Sequence, residues 1–381
     1  MWIFSRSTPW ATPSPTPLDS DSPSLTPLSG LTGGLPLGKI RIYGQKKGGG
    51  FVLLEHIGDH TVIAVIGLCK NAGKTTTMCR LIRELAGVPI ALTSVGRDGE
   101  TTDLVTGTEK PEIWVDKGTL FGTAKGLLSL CDVTVEVSDV TDCATPLGIV
   151  GVFRALSDGY IQLAGPSAVA HLAPLCRQFT QLGAQRILID GAAGRKSLAG
   201  AGKESCALLC VGASLDPVME KAVAETAHIC SLFASPNPTG TLADVLEGET
   251  ARFALFTQEG EPLPLELEPT GLPNWASLPR TDCVLWMDGG VTTALLKSLS
   301  RRGFPLTLAV PDATHLLCDR PSTETFFRRG GRFLIRRTIA IAAVAANPWS
   351  AYGHHYREND FLTALRSALT VPVVNVKECA P

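Results

Sequence analysis

The sequence predicts an α/β fold, with a mainly parallel sheet flanked by helices and then a smaller C-terminal α/β domain. Three observations carry that reading. Short apolar runs such as "TVIAVIG", "VPIALTS" and "ALLCVGA" alternate with helical patterns, which is the texture of buried parallel strands joined by crossover helices. The run "TVIAVIG" leads through glycines into "TTTMCRLIRELAG". There Met78, Leu81, Ile82 and Leu85 recur at helical spacing, and Gly87 stands as a stop. A second strand–helix–strand series begins near Thr281, with "CVLWMDG", "VTTALLKSLSRRG" and "PLTLAVPD".

Residues 1–50 stand apart. Pro, Ser, Thr and Gly dominate "ATPSPTPLDSDSPSLTPLSGLTGGLPLG", and "KKGGG" closes the segment. Such a stretch buries too little apolar surface to offset its ordering entropy, so a disordered N-terminal tail is expected. The first α/β domain is expected over residues 51–231. Beyond the strands already quoted, more strands read at "EIWV", "VTVEVS", "LGIVGVFRAL" and "RILID". Helices read at "LFGTAKGLLSL", "AVAHLAPLCRQFTQLG" and "PVMEKAVAETAHICSLF". Residues 232–280, with "ASPNPTG" and "EPTGLPNWASLP", read as a linker. Residues 281–381 then form the C-terminal domain. Within it "RFLIRRTIAIAAVAANP" adds one or two strands, "NDFLTALRSALT" a helix and "VPVVNV" a last strand.

Composition narrows the function classes. With 381 residues, 44% apolar and 18% charged, the chain has room for two cores. A net charge of −2 without any basic block gives no electrostatic basis for binding nucleic acid or an anionic membrane. The apolar runs fall short of membrane-spanning length, and "MWIFSRSTPWATPSP" lacks the layout of a secretory signal. The 11 cysteines are dispersed and form no CxxC pair, which argues against zinc and thioredoxin-like sites. Free thiols in a reducing cytoplasm are expected.

The chemistry concentrates at "GLCKNAGKTTT". Gly67 is followed by five residues, then Gly73-Lys74-Thr75, one residue more than the usual phosphate-binding spacing. Backbone N–H groups at a helix start point at anions, and the helix dipole reinforces them. Gly67, Asn71, Ala72, Gly73, Lys74, Thr75 and Thr76 are the expected nucleotide contacts. Lys74 would reach the terminal phosphates as the catalytic cation, and the Thr75 hydroxyl would ligate Mg²⁺. The alternative is a purely structural strand–turn–helix junction. "RILIDGAAGRKS" ends a strand in Asp190, an acidic position suited to Mg²⁺ or its water shell; the bland alternative is an ordinary Asp-Gly turn. In "GRDGETTD", Asp98 is the second catalytic candidate, orienting the attacking water or backing the metal, with Glu100 and Asp103 as substitutes. A solvated polar loop would explain the same residues, and Arg97 reads more simply as surface.

The loop length and the turn "DGAAG", Asp190 to Gly194, resemble those of the dethiobiotin synthetases and their P-loop NTPase relatives. The segment "TSVGRDGETTD" departs from that family, which carries a lysine-proline element there for its diamine substrate. A longer likeness runs in order through "GLCKNAGKTTT", "LTSVGRDGETTDLVTGTEKP", "LGIVGVFRALSDGYIQLAGPS", "IDGAAGRKS" and "VAANPWSAYG". These are similar to the smaller reactivase subunit that serves adenosylcobalamin-dependent lysine 5,6-aminomutase. The resemblance covers residues from about 55 to the end. It implies an NTP-driven accessory factor with a P-loop domain. The guanine-reading Asn/Thr-Lys-x-Asp element is not evident, which favours ATP over GTP as the nucleotide, with Mg²⁺ as the metal. The resemblance also implies an aminomutase client and a MutS-like ATPase partner subunit, and it admits a homodimer. The cobalamin-ligating pattern Asp-x-His-x-x-Gly is absent, and "GDHTV" around His60 does not fit it. A small-molecule ligase or kinase, and a nucleotide-binding module without turnover, are the rival readings.

Other residues have plainer explanations. Lys70 lies one position from the extra lysine of related NTPases, and Cys69 reads as loop packing or a redox-sensitive thiol. Arg154, Ser157 and Asp158 sit in a turn, and Ser167 after Gly165-Pro166 reads as a helix N-cap. The adjacent His354 and His355 point different ways, which disfavours a shared metal.

Overall fold

The computed structural model describes residues 52–95, 113–191 and 205–376, all within the unit Gly49–Pro381. The tail expected at 1–50 lies outside them. The chain begins with α1 (Val52–Ile57), β1 (Val62–Gly67), α2 (Lys74–Glu84) and β2 (Ile90–Ser94). Next come β3 (Ile113–Val115), β4 (Leu120–Ala124), β5 (Val135–Thr145), β6 (Gly148–Ala155) and β7 (Gly159–Ile161). Then follow α3 (Leu172–Gln181), β8 (Arg186–Gly191), β9 (Ser205–Gly212) and α4 (Met219–Phe233). The next run holds α5 (Gly240–Gly248), β10 (Phe253–Phe256), β11 (Pro262–Leu263), β12 (Val284–Met287) and β13 (Val291–Thr292). It continues with α6 (Thr293–Ser300), β14 (Thr307–Val310), β15 (Leu316–Leu317), α7 (Arg320–Arg328) and β16 (Arg332–Ile335). The last elements are β17 (Ala340–Asn347), α8 (Glu358–Ala368) and β18 (Val373–Asn375).

Nine strands form the main sheet in the order β18-β17-β9-β1-β8-β2-β4-β6-β5. Neighbours from β18 through β4 are parallel, and β6 is antiparallel to both β4 and β5. Every residue of β1 is buried, because its alternate side chains serve two cores. Val62, Ala64 and Ile66 pack with Leu175 and Phe179 of α3 and Ile229 of α4. Ile63 and Val65 pack with Leu53 of α1 and Met78 and Leu81 of α2. A strand covered on both faces has no polar side to show, which is why "VIAVI" reads as one continuous apolar run.

A second sheet has the order β11-β10-β12-β14-β16, with β12, β14 and β16 parallel and β10 antiparallel to both of its neighbours. Leu296 of α6 and Phe326 of α7 pack on one face with Leu285, Leu308 and Phe333. Leu242 and Leu246 of α5 pack on the other, against Phe256 and Trp286. The two-strand pairs β3–β7 and β13–β15 complete the pairing.

Several sequence expectations change here. "LFGTAKGLLSL" is not one helix: Leu120–Ala124 is β4, and only Lys125–Leu130 winds, as a 3₁₀ turn. Its short apolar run suits either state, and tertiary packing decides. A Cβ on Gly122 would stand 3.0 Å from Phe179 Cζ, so this backbone lies directly under α3. Residues 232–280, read as linker, hold α5, β10 and β11. Residues 281–381 are shared between the sheets: β12, β14 and β16 stay in the second, while β17 pairs with β9 from Ala340↔Cys206 to Asn347↔Gly212. Ser167 does not cap α3, which starts at Leu172 behind His171 after a 3₁₀ turn. Among the described residues no helix is long and apolar enough to cross a membrane.

Candidate functional site

The loop between β1 and α2 runs from Leu68 to Gly73 and delivers the chain to the start of α2. Gly73, at the N-cap of α2, has φ 97° and offers no side-chain cap. Asn71 has φ 59°, the only positive φ at a non-glycine among the described residues, in the left-handed region that asparagine tolerates. The loop is tied down at both ends by β9. Leu68 N donates to Cys210 O at 3.0 Å, and Thr77 Oγ1 donates to Gly73 O at 3.0 Å while lying 3.3 Å from Cys210 Sγ. Ala72 is fully buried beneath.

Lys74 opens α2 and folds back over Gly67. A Cβ on Gly67 would lie 2.9 Å from Lys74 Cγ and 3.0 Å from both Cδ and Nζ. Glycine at 67 is therefore a steric requirement of the lysine's pose. On the neighbouring strand, Val65 of β1 registers with Asp190 of β8, and Asp190 registers in turn with Ser94 of β2. With β8 directly beside β1, the aspartate stands at the same end of the sheet as the loop. Its Oδ1 is buried without a hydrogen-bond partner. Burial raises the Asp190 carboxyl above its ordinary range, against the opposing pull of the Lys74 charge. A buried acceptor with no donor calls for an explanation, and a bound cation or water is one.

The residues fit a Mg²⁺–nucleotide on two counts: the orphaned Asp190 oxygen and the lysine lying in the space a Cβ at 67 would fill. The described residues hold no group of three or more His, Cys, Asp or Glu suited to a metal. Mg²⁺ held by one hydroxyl, one carboxylate, phosphates and water needs no such group. Of the expected site residues, the structure brings together Gly67, Asn71, Ala72, Gly73, Lys74, Thr75, Thr76 and Asp190. Asp98, with Arg97, Glu100 and Asp103, lies outside the described residues, as do Ala192 to Gly194.

The remaining candidates have structural partners. Arg154 donates to the carbonyls of Gly118 and Leu182, Asp158 accepts from Lys117 N, and Ser157 accepts from Thr134 N. His60 Nδ1 lies 2.8 Å from Ile57 O. Burial raises the Cys69 thiol above its ordinary value, only partly offset by Lys74, and the side chain packs against the core shared by α1 and α2. Burial likewise pushes Cys210 up to about 12.

Sequence reasoning missed Asn347. It ends β17, and its Nδ2 donates to Asn71 O at 3.4 Å. A Cβ on Gly73 would stand 3.2 Å from Asn347 Cβ. The one available signal was an asparagine before proline at the end of an apolar run, and nothing in the sequence says which loop it meets.

Comparison with protein-family models, curated proteins and solved structures finds no match.

Proposed function

We propose that this chain binds a Mg²⁺-complexed nucleoside triphosphate, ATP in the first place, at the Gly67–Thr77 loop. We further propose that it hydrolyses the nucleotide as an accessory factor for an adenosylcobalamin-dependent aminomutase. The observation that carries the nucleotide reading is Lys74 folded over Gly67, together with the unpartnered Asp190 oxygen on the adjacent strand. The client and the MutS-like partner subunit rest on the ordered sequence likeness alone.

In this reading the N–H groups of Gly73 to Thr76 cradle the phosphates, and Lys74 neutralises charge on the terminal one. Thr75 and Asp190 hold the metal, directly or through water. When bound, Mg²⁺ supplies positive charge to the terminal phosphate oxygens. Asp98 is the proposed residue that orients the attacking water. The second reading, a small-molecule ligase or kinase, is favoured by one feature. A cleft of about 510 Å³ lies beyond the end of β9, lined by Asp216, Glu220, Lys221, Asp319 and Arg320 among others.

The test uses purified full chain with ATP and Mg²⁺, with Lys74→Ala and Asp190→Asn as variants. Calorimetry is expected to show ATP binding that Lys74→Ala weakens, and Asp190→Asn should remove its Mg²⁺ dependence. Phosphate release should rise on adding the aminomutase. No binding by the unmutated chain overturns the nucleotide reading; stimulation by a small molecule without any partner protein favours the ligase or kinase.

A further inference from the structure

The adjacent histidines belong to a turn that the phosphate chemistry leaves unused. Residues 348–356 follow β17 at the sheet end that carries the glycine loop, and they double back on themselves. Ser350 N donates to His354 O at 3.1 Å. The turn is strapped to the segment after β9, with His354 Nε2 2.7 Å from Ala213 O and the Ser214 and Ser350 hydroxyls 3.3 Å apart. Asn347 then joins this turn to the loop through one carboxamide. Its Nδ2 donates to Asn71 O, and its Oδ1 accepts from Trp349 N at 3.3 Å.

The Trp349 backbone therefore stands one carboxamide away from Asn71 of the glycine loop. The His355 ring lies against the Trp349 indole, with centroids 5.1 Å apart and planes inclined by 22°. That stack covers one indole face, yet Trp349 is still 50% exposed. An indole normally buries its large apolar surface. Here half of the residue's surface stays accessible, on a turn that Asn347 ties to the glycine loop.

We propose that Trp349, backed by His355, is the platform on which the base of the bound nucleotide stacks. The inference rests on the nucleotide reading of the Gly67–Thr77 loop. Stacking uses the π-face that every base has, so the platform itself does not discriminate adenine from guanine. The histidine pair is then no metal site: His354 anchors the turn and His355 supports the indole.

The experiment measures binding of ATP, GTP and inorganic tripolyphosphate, each with Mg²⁺, to the full chain. Trp349→Ala is expected to weaken ATP and GTP alike by about 5- to 150-fold, the range of base–aromatic stacking, and to leave tripolyphosphate unchanged. Trp349→Phe should keep most of the ATP affinity but lose the ATP-induced change in tryptophan fluorescence. Lys74→Ala should weaken all three ligands. Unaltered ATP binding by Trp349→Ala overturns the platform, and so does an equal loss of tripolyphosphate or an undiminished fluorescence change in Trp349→Phe. If the unmutated chain binds neither ATP nor tripolyphosphate, the nucleotide reading itself falls, and the platform with it.

Discussion

Gly67→Ala tests the proposed phosphate site with a single methyl group. The added Cβ would sit 2.9 Å from Lys74 Cγ and 3.0 Å from Cδ and Nζ. Ordinary carbon contacts begin near 3.4 Å, so the overlap with Cγ is about 0.5 Å. Position 67 has no positive φ, and the backbone accepts alanine there. Lys74 has to yield. A lysine turned off its favoured rotamer costs about 0.5–1.5 kcal/mol, which in a chain of this size lowers the melting temperature by about 1–2 °C per kcal/mol. The larger effect is on binding. Losing a hydrogen bond to a charged group costs about 1.5–3 kcal/mol, or about 10- to 150-fold in ATP affinity. Because the methyl acts through Lys74, the double variant Gly67→Ala/Lys74→Ala should bind no worse than Lys74→Ala alone, within about 0.5 kcal/mol. Calorimetric titration of the four proteins reads this directly. Additive losses, or wild-type affinity in Gly67→Ala, would refute the reasoning.

Two further outcomes follow from the described geometry. Asn71→Val should destabilise the chain by about 1–2 kcal/mol, because a β-branched residue is strained at φ 59°. Asn71→Gly should stay within about 0.5 kcal/mol of the native protein in chemical denaturation; equal losses in both variants would show that the backbone conformation is not the cause. Far from the loop, His315 Nδ1 lies 3.5 Å from Asp312 Oδ1, which also accepts from Thr314 N at 2.9 Å. Burial acts against the charged form of each, but their mutual contact prevails, raising His315 above its ordinary value and holding Asp312 below the usual carboxylate range. The histidine's contribution is complete below about pH 6.5 and is lost as pH rises through its raised value; the aspartate's is complete above about pH 3.9 and is lost as pH falls. His315→Gln should therefore remove part of the stability decline expected above pH 6.5. Identical decline in both proteins between pH 6 and 9 would count against the pair.

The sequence by itself determined the local grammar. A strand wholly covered on two faces must be apolar throughout, so β1, β2, β8 and β9 were legible from short runs. α2 was legible from the spacing of Met78, Leu81 and Leu85. The loop could be read because left-handed positions and close approaches restrict residue type: glycine at 67 and 73, and asparagine at 71. Where a run suited two states, as at Leu120–Ala124, periodicity had no answer; α3 packing over Gly122 supplied it. Strand partners were equally hidden. An apolar run such as "TIAIAAVAA" carries no mark of which neighbour it will pair with, because backbone ladders are alike and both faces are greasy. Only the tertiary structure returned β17 to the edge of β9 rather than leaving it beside β16. That pairing decided what spacing could never show: Asn347 lies against Asn71, and residues nearly three hundred positions apart share one end of a sheet.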